Sequence, residues 1–214
     1  MSTPEDEAPP VPEASLRPTE HGIVPHGEGW FVLNARDARW LDGRGPDGGP
    51  SRGVICRWEG EPVFPQVGIN VAVLAPGETR GLYHWEADQE DLLVLAGEAL
   101  LIVEGEERRL RQWDLVHCPA GTRHIIVAAG EAPCLLLAVG ARRRSNGPGW
   151  GAYTVDETAL RHGVGVEQET TDVREAYARF GERHPHALLA GMAPAGGPAV
   201  GGVARPRRCS PSGC

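Results

Sequence analysis

The sequence has little of what marks several large protein classes. None of its apolar runs approaches the roughly 20 residues needed to cross a bilayer. It has five cysteines (Cys56, Cys118, Cys134, Cys209 and Cys214), none of them in CxxC spacing. So scattered and odd-numbered a set argues against both a disulfide framework and a thiolate zinc site, and it fits a reducing, cytoplasmic compartment. A basic face is also missing. The formal net charge is −8, and the runs Arg142-Arg143-Arg144 and Arg205 to Arg208 are short and border Gly/Pro-rich chain. They read as solvated charge, so neither a nucleic-acid nor a membrane partner is expected. Internal repeats are lacking, and helical periodicity is weak before residue 140.

Chain punctuation, in contrast, is plentiful, with 29 glycines and 19 prolines. This favours many short strands over long helices. Residues 1–20 carry five prolines and almost no large apolar side chains. They are expected to be a disordered acidic tail, neither a signal nor a transit peptide. Residues 192–214, dominated by Gly, Pro, Ala and Arg, are expected to be a second disordered tail.

Strand signals fill the region between the tails. Trp30 to Leu33, Gly53 to Trp58 and Ile69 to Leu74 are β-branched or aromatic runs ended by turn residues. Asp91 to Leu95 and Ala99 to Val103 flank Ala96-Gly97-Glu98, which reads as a tight hairpin with Gly97 at positive φ. Four further runs follow at short spacing: Glu106 to Leu110, Asp114 to Cys118, His124 to Ala128 and Cys134 to Val139. The pattern predicts an all-β barrel or sandwich over 21–145. Residues 146–191 are read as an extension. Its one helix, Val173 to Arg183, places Val173, Ala176, Tyr177 and Phe180 on one face, with Asp172 as N-cap and Glu175 completing a capping box.

The chemistry lies in two segments. Side chains alternate faces along a strand, so His84 and Glu86 point one way and Tyr83 and Trp85 the other; Glu90 keeps the parity of Glu86. One inward face then carries an imidazole and two carboxylates, a costly burial that a bound cation would offset. The second segment, Pro119-Ala-Gly121-Thr-Arg-His124, is a turn opening a strand and supplies another imidazole. Asp88 and Asp91 read as turn and strand-start residues, and His117 as facing outward. Cys118 either lines the pocket or is a small buried hydrophobe. Arg80 and Arg123 are either surface charges or guides for an anionic substrate.

These segments resemble the two sequence motifs of the cupin superfamily, over roughly residues 65–140. His84, Glu90 and Gly97 fall at the spacing of the first motif, with Glu86 where a second His is usual. Pro119, Gly121 and His124 match the second, while Trp113 and Ala128 stand in place of its Gly and Asn. The resemblance implies a jelly-roll-like β-barrel, commonly a homodimer, holding one divalent metal (Fe, Mn, Ni or Zn) through His84, Glu86, Glu90 and His124. An alternative leaves His84, Glu90 and His124 as ligands and makes Glu86 a catalytic acid or base. The implied activity is metal-dependent chemistry on a small polar molecule, of dioxygenase, decarboxylase or isomerase type. A cupin that binds a small ligand without catalysis, metal optional, is the rival expectation.

Overall fold

Alternation of large apolar with small or polar residues, broken every few positions by Gly or Pro, builds fourteen short strands and two short helices among the described residues. The computed structural model describes residues 10–43, 52–60, 63–143, 149–180 and 182–186. In chain order the strands are β1 (Ser15–Thr19), β2 (Gly22–His26), β3 (Trp40–Asp42), β4 (Val54–Arg57) and β5 (Val67–Leu74), then β6 (His84–Glu86) and β7 (Glu90–Ala96). These are followed by β8 (Glu98–Val103), β9 (Glu106–Arg111), β10 (Leu115–Cys118), β11 (His124–Ala129), β12 (Cys134–Ala141) and β13 (Gly151–Tyr153). Helices α1 (Glu157–Arg161) and α2 (Val173–Ala176) precede β14 (His184–His186).

Two antiparallel sheets face each other. One has the order β10-β7-β12-β5-β4-β3-β14, the other β13-β6-β11-β8-β9; β1 and β2 form a separate hairpin. Between the sheets Ile55, Ala72, Leu92 and Leu136 meet Ala99, Leu101 and Ile126 in the central core. The outer faces are covered as well. Trp40, Val54, Cys56, Val71 and Val73 pack on the first sheet's outer side with Ala38. Tyr83, Ile102, Ile125 and Val127 pack against Ala159 and Val164 on the second. This explains why His124–Ala129 is almost continuously buried instead of alternating.

Four expectations need correction. Residues 91–103 do not form a hairpin: β7 pairs with β10 and β12, and β8 with β9 and β11. Gly97, at φ 76°, turns a corner that carries the chain from one sheet to the other. A Cβ there would lie 2.5 Å from the Pro133 carbonyl oxygen, so only glycine passes. Trp30 to Leu33 is not a strand; Trp30 makes a single bridge to Glu13 and the rest is irregular. Order begins inside the expected N-terminal tail, where Ser15–Thr19 pairs with Gly22–His26. The helix at 173 stops after Ala176, since the following residues must bring Arg183 back to β3. Its N-cap is as read: the Asp172 side chain accepts from the N–H groups of Arg174 and Glu175. Glu175 completes the cap indirectly, through Thr170 Oγ1.

Past residue 145, β13 pairs with β6 and β14 with β3, so the extension contributes strands to both sheets. The expected tail at 192–214 lies outside the described residues, as do residues 1–9 and 144–148. Among the described residues no helix is long and apolar enough to cross a membrane.

Candidate metal centre and its cavity

Cross-strand register assembles the centre. β11 pairs with β6 at His124 and His84, and the two rings lie with centroids 5.1 Å apart. Glu90 opens β7 on the facing sheet, and its inward parity continues through the core residues Leu92 and Val94. All three residues are buried, and one ligand atom from each lies within 4.8 Å of the others.

The imidazoles are fixed from behind. His84 Nδ1 is 2.7 Å from the Leu82 carbonyl oxygen, and His124 Nδ1 is 3.0 Å from that of Thr122. A carbonyl only accepts, so both Nδ1 atoms carry hydrogen and donate, turning both Nε2 atoms into the site. His124 Nε2 lies 3.0 Å from Glu90 Oε2. Arg80 Nη2 holds the other oxygen of Glu90 at 2.5 Å.

Charge is strongly coupled here. Burial alone would push the Glu90 carboxyl up, but the Arg80 guanidinium, the hydrogen bond from His124 and the charges of both imidazoles hold it at about 2. For His124, burial opposes protonation. Hydrogen bonds with Cys118 and Glu90 and the Glu90 charge overcome that and raise it to about 10.

Of the four residues named from the sequence, the structure brings His84, Glu90 and His124 together. Glu86 stands beside this trio, with Oε1 3.3 Å from His84 Nε2. Cys118 is a buried cross-strand partner of Glu90 and touches the His124 ring. Arg80 belongs to the site, whereas Arg123 pairs with Glu104 at the surface. His117 faces outward and binds Asp91 at 2.6 Å. Tyr83 points away from the site, and its hydroxyl accepts from the N–H of Gly105.

A cavity of about 420 Å³ reaches the cluster at Glu90, within the usual size range of small-molecule sites. Besides Arg80, Glu86 and Glu90, its wall includes Arg57, Asn70, Trp150 and Tyr153, none of which was singled out from the sequence. Two of these had a readable signal. Asn70 shares parity with Ala72 and Leu74, and Arg57 with Ile55, so each is a polar residue on the core face of an apolar strand. Trp150 and Tyr153 fall in the expected extension and give no such sign.

Donor chemistry fits a divalent cation. Two imidazole nitrogens and a carboxylate, buried and held by backbone carbonyls and an arginine, form a two-His, one-carboxylate set once His124 gives up its Nε2 proton.

Comparison with known proteins agrees with the strand pattern. Residues 70–140 match the family model described as Cupin domain. No curated protein matches the chain. Among solved structures, a putative sugar phosphate isomerase from Acidithiobacillus ferrooxidans aligns at 26% identity over 36% of this chain and 51% of its own, with a TM-score of 0.35. A sugar phosphate isomerase from a cupin superfamily, from Silicibacter pomeroyi, aligns at 26% identity over 50% and 62%, with a TM-score of 0.39. The chain therefore spans less than two thirds of the length of either. A protein with a double-stranded β-helix domain from Klebsiella pneumoniae aligns at 20% identity over 54% of this chain and 92% of its own, with a TM-score of 0.41. Residues 70–140, which lie across both sheets and carry the paired imidazoles of His84 and His124, therefore match a cupin domain.

Proposed function

We propose that this protein is a metal-dependent enzyme that acts on a small polar molecule in the cavity above His84, Glu90 and His124. The observation that carries this reading is the pair of buried imidazoles, each locked through Nδ1 to a carbonyl, with one ligand atom from each within 4.8 Å of the other and of Glu90. Ligands fixed in this way lose little freedom on binding an ion. A divalent ion held there would supply a Lewis acid with open positions for substrate oxygen. Glu86, partly exposed and 3.3 Å from His84, is placed to accept or return a proton at a substrate carbon or oxygen. Trp150 and Tyr153 wall the cavity on the β13 side and limit the entry of water. Dioxygenase, decarboxylase and isomerase chemistries all fit this arrangement.

One observation favours a second reading, a metal-free cupin that binds a small ligand without turnover. Glu90 is satisfied by Arg80 on one oxygen and His124 on the other, so its buried charge is balanced without an ion.

Elemental analysis separates the two. The enzyme reading expects near-stoichiometric Fe, Mn, Ni or Zn in purified protein, lost in both His84→Ala and His124→Ala. Protein that takes up none of these ions, even when refolded with them, leaves the metal-free binder standing.

A further inference from the structure

We propose that the cavity takes a small hydroxylated anion, with its acidic group at Arg57 and Arg80 and its hydroxyl donated to Asn70. This names a substrate class for the site and rests on reading the cavity as the working pocket. It does not depend on which reaction follows.

Sheet register supplies the first argument. Arg57 on β4 lies directly opposite Asn70 on β5, and Asn70 lies opposite Ala138 on β12. Ala138 in turn pairs with Leu92 on β7, two residues beyond Glu90. A single inward row thus runs from core residues out to an amide and a guanidinium. In the neighbouring row, Glu90, Gly140 and Gly68, the Arg142 guanidinium lies over Gly68 and leaves Gly140 uncovered. A Cβ on Gly140 would meet nothing within 4 Å, so the floor beside the carboxylate is open space.

The second argument is the state of the polar groups on that wall. Three guanidinium groups line the cavity. Arg142 is committed, with Nη1 2.8 Å from Glu59 Oε1 and also bonded to the Phe64 carbonyl oxygen. Arg80 uses one N–H on Glu90, and its remaining donors have no partner among the described residues. Arg57 is exposed and has no ion pair or side-chain hydrogen bond among the described residues. Asn70 Oδ1 is shut off from solvent and has no hydrogen-bond partner among the described residues. An unpaired buried acceptor is unfavourable, and a hydroxyl donated to it from the cavity would satisfy it.

These groups match one ligand chemistry. Free guanidinium donors call for a carboxylate or phosphate, and a buried amide oxygen calls for O–H. The carboxylate of Glu86 lines the same cavity and acts on Arg80, which directs the anion toward Arg57. Trp150 and Tyr153 offer flat apolar faces to its carbon skeleton.

Titration calorimetry on the full chain, with metal content measured in parallel, tests this. Gluconate, glucose 6-phosphate and neutral sorbitol are the probes, so the carboxylate and phosphate arms are read separately. At least one of the two anions should bind, and sorbitol should not. Arg57→Gln and Asn70→Ala should each weaken binding by roughly 10- to 100-fold while metal content stays unchanged. Gly140→Leu, which fills the floor, should abolish binding. Sorbitol binding as tightly as the anions would overturn the proposal. So would full affinity in Arg57→Gln, or no heat from either anion at about 10 mM. Anion binding in protein that never takes up a metal would sink the metal reading and leave this one. A metal that depends on His84 and His124, with neither anion bound, would do the reverse.

Discussion

Arg80 and Glu90 form the tightest charge contact in the site, Nη2 to Oε1 at 2.5 Å, and so link a loop residue to a strand residue ten positions later. The pair sets the acid limit of the metal-free protein. Glu90 is held at about 2, below its ordinary 4.5, so its stabilising contribution is complete above 4.5 and is lost as the pH falls toward 2. In Arg80→Gln the carboxyl returns toward or above its ordinary range. Urea unfolding of metal-free protein should then show lower stability at pH 7 and a flatter loss between about pH 4.5 and 2. An unchanged acid profile would remove Arg80 from this role.

His124 gives the opposite slope. Its raised value means that stabilisation of the metal-free protein is complete below 6.5 and is lost as the pH climbs through about 10. Binding an ion at Nε2 requires that proton to leave. Affinity for added Zn²⁺ or Mn²⁺ should therefore rise from about pH 6 to about pH 8. Calorimetry in buffers of different ionisation enthalpy should find about one proton released per ion. Affinity independent of pH would exclude His124 as a ligand.

The two carboxylates should separate by role. Glu90 is buried among the ligand atoms, while Glu86 is partly exposed and set to one side. Glu90→Gln should cost about 100-fold in metal affinity, whereas Glu86→Gln should cost less than about 10-fold. Competition with a chromophoric chelator measures both. Equal losses would place Glu86 in the coordination shell.

Much of this centre was legible from strand alternation. His84 and Glu86 share one face because they are two residues apart in a strand, and the turn Pro119 to Gly121 brings His124 to a strand's start. Arg57 and Asn70 were not placed, because their meeting depends on β4 pairing with β5 in one register, which neither segment encodes alone. Gly97 was misread for a similar reason. A glycine at positive φ between two apolar runs fits a hairpin as well as a corner, and only the distant partners β10, β12 and β11 decide between them. The helix at Val173 was cut short by a contact beyond its own periodicity, the docking of Arg183.

That docking should be a main support of the fold. Arg183 donates from Nη1 to the carbonyls of Leu41 and Gly53, and from Nη2 to those of Arg52 and Arg80. Tyr177 accepts from the N–H of Leu82 at 3.2 Å in the same region. Arg183→Ala should cost about 2–4 kcal/mol by chemical denaturation, and Tyr177→Phe about 1 kcal/mol. Arg183→Lys should recover only part, since an ammonium cannot reproduce the planar fork. A loss under about 0.5 kcal/mol in Arg183→Ala would show that water replaces the clamp.

The same four bonds impose an order on biosynthesis. Arg80 belongs to the loop that carries the chemistry, and it is anchored by a residue made more than a hundred positions later. During translation the motif segment is complete well before its anchor leaves the ribosome. Until residue 183 emerges, a nascent chain therefore carries the ligands without the fastening that steadies their loop.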